Sequence, residues 1–184
     1  MYKFVVPALA ATIFVSQLPA QAQTPPPPPP TQARSQAAAY VAAAGKSDLY
    51  EIQSSQVALE KAQTPAVRAF AQMLIEHHEM TTAATLKAAA KAGMPPARPA
   101  LDAAATASVA ELQSASAADF DRLYLAQQIP AHEAALELHK GFSANGDQAD
   151  LRASAAAAVP IVQKHLVTAM ELQRNGPAKD GGRQ

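Results

Sequence analysis

Residues 64–96 read TPAVRAFAQMLIEHHEMTTAATLKAAAKAGMPP, and this segment has the start, the face and the end of one long helix. Thr64 can cap the helix, and Pro65 suits the first helical position, where a missing N–H costs nothing. Gly93 and the prolines after it end the helix. The segment therefore predicts a helix over residues 65–92. Its apolar face recurs at spacings of three and four residues: Val67, Ala71, Leu74, His78, Thr81 and Thr85.

Strong helix propensity covers nearly all of the remaining chain, because Ala is abundant, Trp is absent and β-branched runs are few. The same spacing predicts further helices over residues 35–62, 117–142 and 147–174, with a short one over 101–112. The connection over residues 93–116 is too long for a tight turn and can cross the length of a bundle. We expect an all-α fold, a four-helix bundle with a long crossover between helices two and three.

Two of these helices contain a residue that could interrupt them. Gly45 is a weak point in the first helix, and Asp48 with Glu51 could form a capping box that restarts it, in which case Glu51 only serves the backbone. Pro160 lies inside the last helix. It could kink the axis one turn before His165 and aim that side chain inward, or it could mark a break between two helices.

Both ends of the chain are expected to lie outside the bundle. Lys3, an apolar run over residues 4–15 and small residues up to Ala22 predict a signal peptide that is cleaved near Ala22. The proline tract over residues 25–30 predicts an extended linker. The expected organisation is a signal peptide, residues 1–22; a Pro-rich linker, residues 23–34; a helical bundle, residues 35–174; and a flexible tail, residues 175–184.

The composition indicates in which compartment the protein acts and which classes of partner it can bind. A chain without Cys has no disulfide and no lipid attached through an N-terminal Cys, so with the signal it indicates a periplasmic or secreted protein. Losing Lys3 from 15 basic and 15 acidic residues leaves a nearly neutral mature chain with no basic run, which argues against nucleic acid as a partner. No later segment is long and apolar enough to span a membrane. A protein partner or a homo-oligomer stays open.

Polar residues fall on the apolar faces of four predicted helices, where they need a compensating interaction. Three are His78, His132 and His165, and Glu51 lies near the face of the first helix. Imidazole suits Zn, Cu and Fe, and a carboxylate beside three imidazoles is a reasonable ligand set for one ion. We predict one transition-metal ion in the core, used in metal handling or stress protection. The alternative is a structural or interaction module without metal, whose core His and Glu side chains only hydrogen-bond one another.

Two further groups of residues could join or support such a site. Met73, His77 and Met80 share one helix face, and thioether with imidazole favours copper(I) or silver, although plain packing also explains them. His139, two turns after His132, could be a supporting residue or a fourth ligand, or it could face solvent at the helix end. Tyr124 and Gln128 precede His132 by eight and four residues, and either could hydrogen-bond a ligand imidazole.

Runs on three predicted helices carry a family resemblance: Phe70-Ala71-Gln72 with Glu76-His77-His78, Phe120-Asp121 with Tyr124 and His132, and Val159-Pro160 with His165-Leu166. Together they resemble the exported bacterial family catalogued as domain of unknown function 4142. The resemblance covers about residues 37–172 and implies a ferritin-like four-helix bundle with no established activity. It also implies that the family's glutamate and histidines correspond to Glu51, His78, His132 and His165. The family usually has an aspartate where this chain has His77, so an orienting role for that acid is lost here.

The sequence does not match the ferritin-like di-iron enzymes. Those enzymes carry Glu three residues before a ligand His on two helices, whereas here Ile75 precedes His78 and Val162 precedes His165 at that spacing. No nucleophile, cofactor loop or acid–base pair is evident. We expect no enzyme activity from these residues, although an open position on a bound ion would leave a metal enzyme as a third interpretation.

Overall fold

The computed structural model describes residues 30–176, and this part of the chain contains six helices and no strand. The all-α prediction is confirmed. Thr64 accepts a hydrogen bond from the backbone N–H of Val67, as expected for the cap of the third helix. The helices are α1, Pro30–Ala33; α2, Ala37–Lys61; α3, Pro65–Lys91; α4, Ala103–Ser114; α5, Ala117–Asn145; and α6, Ala149–Asn175.

Neither predicted interruption breaks its helix. The helix α2 runs unbroken through Gly45, so the capping-box interpretation of Asp48 and Glu51 is wrong: both lie in mid-helix, where backbone N–H groups already have partners. The helix α6 likewise continues through Pro160. A second proline, Pro130, lies inside α5 and was not considered from the sequence. Both prolines are tolerated because packing against neighbouring helices outweighs one missing hydrogen bond.

The folded part begins earlier than the sequence suggested. Residues 30–33, assigned to the linker, form the helical turn α1, and Ala33 is buried. The backbone carbonyl of Ser35 accepts a hydrogen bond from Asp147, which ties this entry segment to the start of α6. The signal peptide, the rest of the linker and the tail after residue 176 lie outside the described residues.

The four long helices pack in a ring, in which α2 contacts α3 and α5, and α6 contacts the same two helices from the other side. At one end, Asp121 near the start of α5 accepts hydrogen bonds from the backbone of Gln63 and Thr64, just after α2. At the other end, Asp147 after α5 accepts from the backbone of Ala37 at the start of α2. Therefore α2 and α5 run antiparallel. No helix in residues 30–176 is long and apolar enough to cross a membrane.

The connection between α3 and α5 contains α4, which packs on the outside of α2. Lys46 of α2 forms an ion pair of 2.7 Å with Asp102, the residue that caps α4. Nearby, Pro99 lies so close to Gly45 that a Cβ there would be 2.9 Å from the proline Cγ. The glycine that looked like a weak point in the sequence is the place where the connection approaches α2.

The described part of the chain has three apolar clusters in its interior, and a polar layer lies between the two larger ones. One cluster includes Phe70, Leu74 and Phe120, and the other includes Tyr40 and Phe142. Eleven polar side chains are buried in the described part of the chain, and most lie between these clusters along the helices. Buried polar groups are costly unless they are satisfied, so this layer is where a function should be sought. These side chains are Asp48, Glu51, Ser54, Ser55, His78, Thr81, Thr85, Gln128, His132, His139 and His165.

The contact between Gly45 and Pro99 can be tested by a double-mutant cycle. Gly to Ala inside a helix normally stabilises by about 1 kcal/mol. We expect Gly45→Ala to give clearly less in the natural chain, because the new methyl meets Pro99, and to recover most of the gain beside Pro99→Ala. Urea unfolding of the four proteins measures the coupling. Equal gains in both backgrounds would show that the contact is not restrictive.

Candidate metal centre

Three histidines from three helices meet in the polar layer. His78 of α3, His132 of α5 and His165 of α6 each bring one ring nitrogen within 4.8 Å of the other two. Their ring centroids are 5.2 to 5.6 Å apart. The exposed fractions of the three residues are 1%, 0% and 0%, so the cluster is closed to bulk solvent.

His78 is held by a carboxylate on the neighbouring helix. Its Nδ1 lies 2.8 Å from Oδ1 of Asp48, and the hydroxyls of Thr81 and Thr82 donate to Oδ2 of the same carboxylate. A carboxylate with these donors accepts the ring proton, which places the N–H on Nδ1 and the lone pair of the neutral ring on Nε2. That Nε2 is buried and has no hydrogen-bond partner among the described residues.

His132 is held by its own helix. Its Nδ1 lies 2.9 Å from the backbone carbonyl oxygen of Gln128, one turn earlier. A carbonyl can only accept, so Nδ1 carries the proton and Nε2 carries the lone pair. The Nε2 atom is again buried without a partner in the part of the chain that the structure describes.

His165 is held by His77 of the neighbouring helix α3. Its Nε2 lies 2.7 Å from Nδ1 of His77, and the two rings stack with centroids 5.0 Å apart. The other nitrogen, Nδ1 of His165, has no partner within residues 30–176. Each of the three histidines therefore has one anchored nitrogen and one buried nitrogen without a hydrogen bond.

Burial and neighbouring charges act differently on these rings. Burial, together with the nearby His78, His132 and His77, lowers the pKa of His165 to about 2, so that ring is neutral near pH 7. Burial also opposes charge on His78. There, however, the hydrogen bond to Asp48 and the charges of Glu51 and Asp48 outweigh burial and raise the pKa. The same carboxylate makes the His78 ring a stronger donor to a cation.

Glu51 lies beside this cluster but is not among the residues whose possible ligand atoms lie within 4.8 Å of one another. Its carboxylate is buried, with 1% of the residue exposed, and neither oxygen has a hydrogen-bond partner among the described residues. Its Oε1 is 3.7 Å from Nδ1 of His132, too far for a hydrogen bond. The group that meets the 4.8 Å distance consists of the three histidines without Glu51.

The donor set fits a transition-metal ion. Three neutral imidazole nitrogens around a tetrahedral ion, with bonds of about 2.0–2.1 Å, would be about 3.4 Å apart. Each ring would have to move by less than about 1 Å to reach that spacing from the separations observed. The Glu51 carboxylate, which has no hydrogen bond among the described residues, lies 3.7 Å from Nδ1 of His132, one of the three rings. An ion held in this way would find every imidazole already oriented by its second nitrogen.

The remaining predicted residues have other partners. The hydroxyl of Tyr124 lies 2.7 Å from Ser55, and it therefore does not orient a ligand imidazole. His139 is buried at 2% exposure, so the solvent-facing alternative is wrong. Its Nδ1 is 3.0 Å from the hydroxyl of Tyr40. Gln128 does support His132, but through its backbone carbonyl and not through its side chain.

Sequence reasoning missed Asp48 as the partner of His78. In the sequence, Asp48 follows Val41 and Ala44 at the three-and-four spacing of an apolar helix face, and a charged side chain at such a position is the available signal. Which helix it would meet could not be inferred, because that depends on how α2 and α3 are rotated against each other. The contact across 30 residues of sequence is a product of tertiary packing.

The fold and the histidine cluster define an all-α protein with a candidate metal site enclosed by its four long helices. The chain belongs to the family described as Domain of unknown function (DUF4142), whose pattern matches residues 22–172. The resemblance found in the sequence is thereby confirmed. No curated protein matches the chain in sequence.

Solved structures with a similar fold include CopM, in forms with silver or copper bound, and a DUF305 fragment. CopM in the Ag-bound form superposes with a TM-score of 0.65 at 17% identity, covering 78% of this chain and 98% of that one. The Cu(I)-bound form of CopM gives 0.64 at 16% identity, with 78% and 99% covered. A DUF305 fragment from Deinococcus radiodurans gives 0.65 at 17% identity, with 81% and 99% covered. At these identities the likeness establishes the fold alone.

Buried His139 makes a specific contribution to acid sensitivity. Burial lowers its pKa to about 4, against about 6.5 in an unfolded chain. Between those values the unfolded chain binds a proton that the folded one refuses, so acid destabilises the fold by up to about 1.4 kcal/mol per pH unit through this group. We expect the free energy of unfolding of His139→Gln to fall less steeply from pH 6.5 to 4 than that of the natural chain. Parallel curves from denaturant titrations would contradict this.

Proposed function

We propose that this protein binds one transition-metal ion through His78, His132 and His165 and serves in metal handling or stress protection. The observation that carries the proposal is the state of the three rings. Each is buried, each has one nitrogen anchored by Asp48, a backbone carbonyl or His77, and each leaves its second nitrogen without a partner. Three buried rings that each bring a nitrogen within 4.8 Å of the other two, and that each keep a nitrogen free of hydrogen bonds among the described residues, offer what a cation requires.

The alternative, a structural module with no metal, leaves these atoms unexplained. In such a module the core His and Glu side chains would hydrogen-bond one another. Here the three ring nitrogens and both oxygens of Glu51 have no hydrogen bond among the described residues. Leaving one buried polar group unsatisfied costs about 1–3 kcal/mol, and more when it is charged. A bound cation would satisfy these groups together.

Copper is the metal that we favour. Divalent first-row ions bind nitrogen sites most tightly when the ion is Cu²⁺, and imidazole also suits Cu(I). CopM structures of the same fold are described as Ag-bound, Cu(I)-bound and Cu(II)-bound, which supports a copper or silver cargo here. We further propose that the Glu51 carboxylate balances the charge of the ion and becomes its fourth ligand when the rings close in.

The setting favours holding an ion over using it in a reaction. The three histidines and Glu51 are at most 1% exposed, so no substrate reaches the site without a rearrangement of the helices. A deep ligand set of this kind suits uptake and release of a cargo. We also propose that the chain acts in the periplasm after removal of residues 1–22, where exported proteins meet copper directly.

Metal binding can be measured on the mature protein recovered from the periplasm. We expect one Cu per chain by elemental mass spectrometry, with copper displacing zinc, and a loss of at least tenfold in affinity for His132→Ala and His78→Ala. The matched control is His139→Gln, which alters a buried histidine outside the cluster and should still bind one ion. Intact mass gives the N-terminus, expected near Gln23. A chain that takes up no stoichiometric metal under any condition would leave the structural module as the answer.

The orienting role of Asp48 gives a second prediction. Replacing a carboxylate that holds a ligand histidine typically weakens metal affinity by about 10–100-fold. We expect Asp48→Asn to fall in this range, because the amide can still accept from the ring but no longer supplies charge. The matched control is Asp102→Asn, which removes an acid from the surface pair with Lys46 and should leave the affinity unchanged. Equal affinities for the two variants would contradict the assignment.

A further inference from the structure

A second set of soft ligand atoms lies on α3, next to the histidine cluster and outside it. Met73, His77 and Met80 follow one another at spacings of four and three, so they occupy one face of the helix over two turns. Met73 and His77 are partly buried, whereas Met80 is 56% exposed. A large apolar side chain this exposed contributes little to packing, and its thioether is accessible.

His77 joins this face to the buried cluster. Its Nδ1 lies 2.7 Å from Nε2 of His165, and the stacked rings are 14° from parallel. His165 has no exposed surface, while His77 is partly exposed. A single hydrogen bond therefore connects a partly exposed residue of α3 to the buried cluster.

We propose that Met73, His77 and Met80 form an outer capture site for a soft monovalent cation, copper(I) or silver(I). Two thioethers and one imidazole are ligands that such ions prefer over the harder divalent metals. The carboxylates of Glu76 and Glu79, exposed on the same helix, add negative charge that draws cations to this surface. The ion then passes inward through His165, a step that rests on the function proposed above for the buried histidines.

The hydrogen bond between the two histidines links the outer and inner sites. With both rings neutral, the pair has two N–H protons. If His165 donates from Nε2, its Nδ1 is open to an inner ion and His77 carries its second proton on Nε2. If His77 donates from Nδ1, its Nε2 is open to an outer ion and His165 carries a proton on Nδ1.

The two forms hold the same number of protons and the same net charge. An outer ion therefore selects the second form and an inner ion selects the first. An ion at His77 therefore closes the inner nitrogen of His165, and its departure inward opens it, so the two sites hold one ion between them.

The test uses silver(I), which has no redox chemistry under these conditions, on mature protein labelled with ¹³C-methyl methionine and ¹⁵N-histidine. We expect silver nitrate to shift the methyl signals of Met73 and Met80 and not that of Met94, which lies beyond the other end of α3. The same shifts should appear in His132→Ala, where the inner cluster lacks a ligand. In that variant the ¹⁵N signals of His165 should change from the Nε2–H to the Nδ1–H form.

The variant His77→Asp replaces the imidazole with a hard carboxylate ligand and should weaken silver binding at the two methionines by at least tenfold. Absence of the Met73 and Met80 shifts from both the natural chain and His132→Ala would overturn the outer site, whatever the buried histidines do. Shifts that persist undiminished in His77→Asp would overturn the role of His77. Shifts without a change at His165 would overturn the inward passage. Shifts in a protein whose buried histidines bind no metal would support the outer site and defeat the function proposed for the core.

Discussion

The hydrogen bond between His78 and Asp48 is the interaction on which the middle of this protein depends. It joins α2 to α3 inside the polar layer, and both residues are at most 3% exposed. Removing the His78 ring would leave the Asp48 carboxylate buried without this hydrogen bond, and an unsatisfied buried group costs about 1–3 kcal/mol, more when it is charged. The bond fixes the rotation of the two helices and leaves Nε2 of His78 as its unpaired nitrogen. Burial of the apolar clusters on either side stabilises the fold and offsets the free-energy cost of burying the polar layer.

The sequence predicted the helices well because their signals are local. Thr64 and Pro65 begin α3, Gly93 follows its end, and the three-and-four spacing placed three histidines on inward faces. What it could not predict were the partners. Pairings such as His77 with His165, 88 residues away, depend on the mutual rotation of helices, which no single helix encodes. The role of Gly45 could not be predicted for a similar reason. A glycine is required there because Pro99, distant in sequence, approaches the helix closely.

His77 gives the buried cluster a support that can take two forms. An aspartate at position 77 would act only as an acceptor when ionised and would hold His165 in one protonation form. Histidine can donate or accept, so its contact with His165 has two forms of equal charge. The support of His165 is therefore adjustable, whereas His78 and His132 are held by a carboxylate and a backbone carbonyl, which only accept.

The three clustered histidines come from three helices, while Asp48 and Glu51 come from the fourth. An ion bound among them would cross-link α3, α5 and α6, and any unfolding that separates these helices would require its release. Ligand binding of this kind stabilises the native state in proportion to the logarithm of ligand concentration. Degradation in the cell follows the unfolded fraction. The lifetime of the protein would therefore rise with the metal supply, so that cells poor in the ion would clear the empty chain and cells exposed to it would accumulate the filled one.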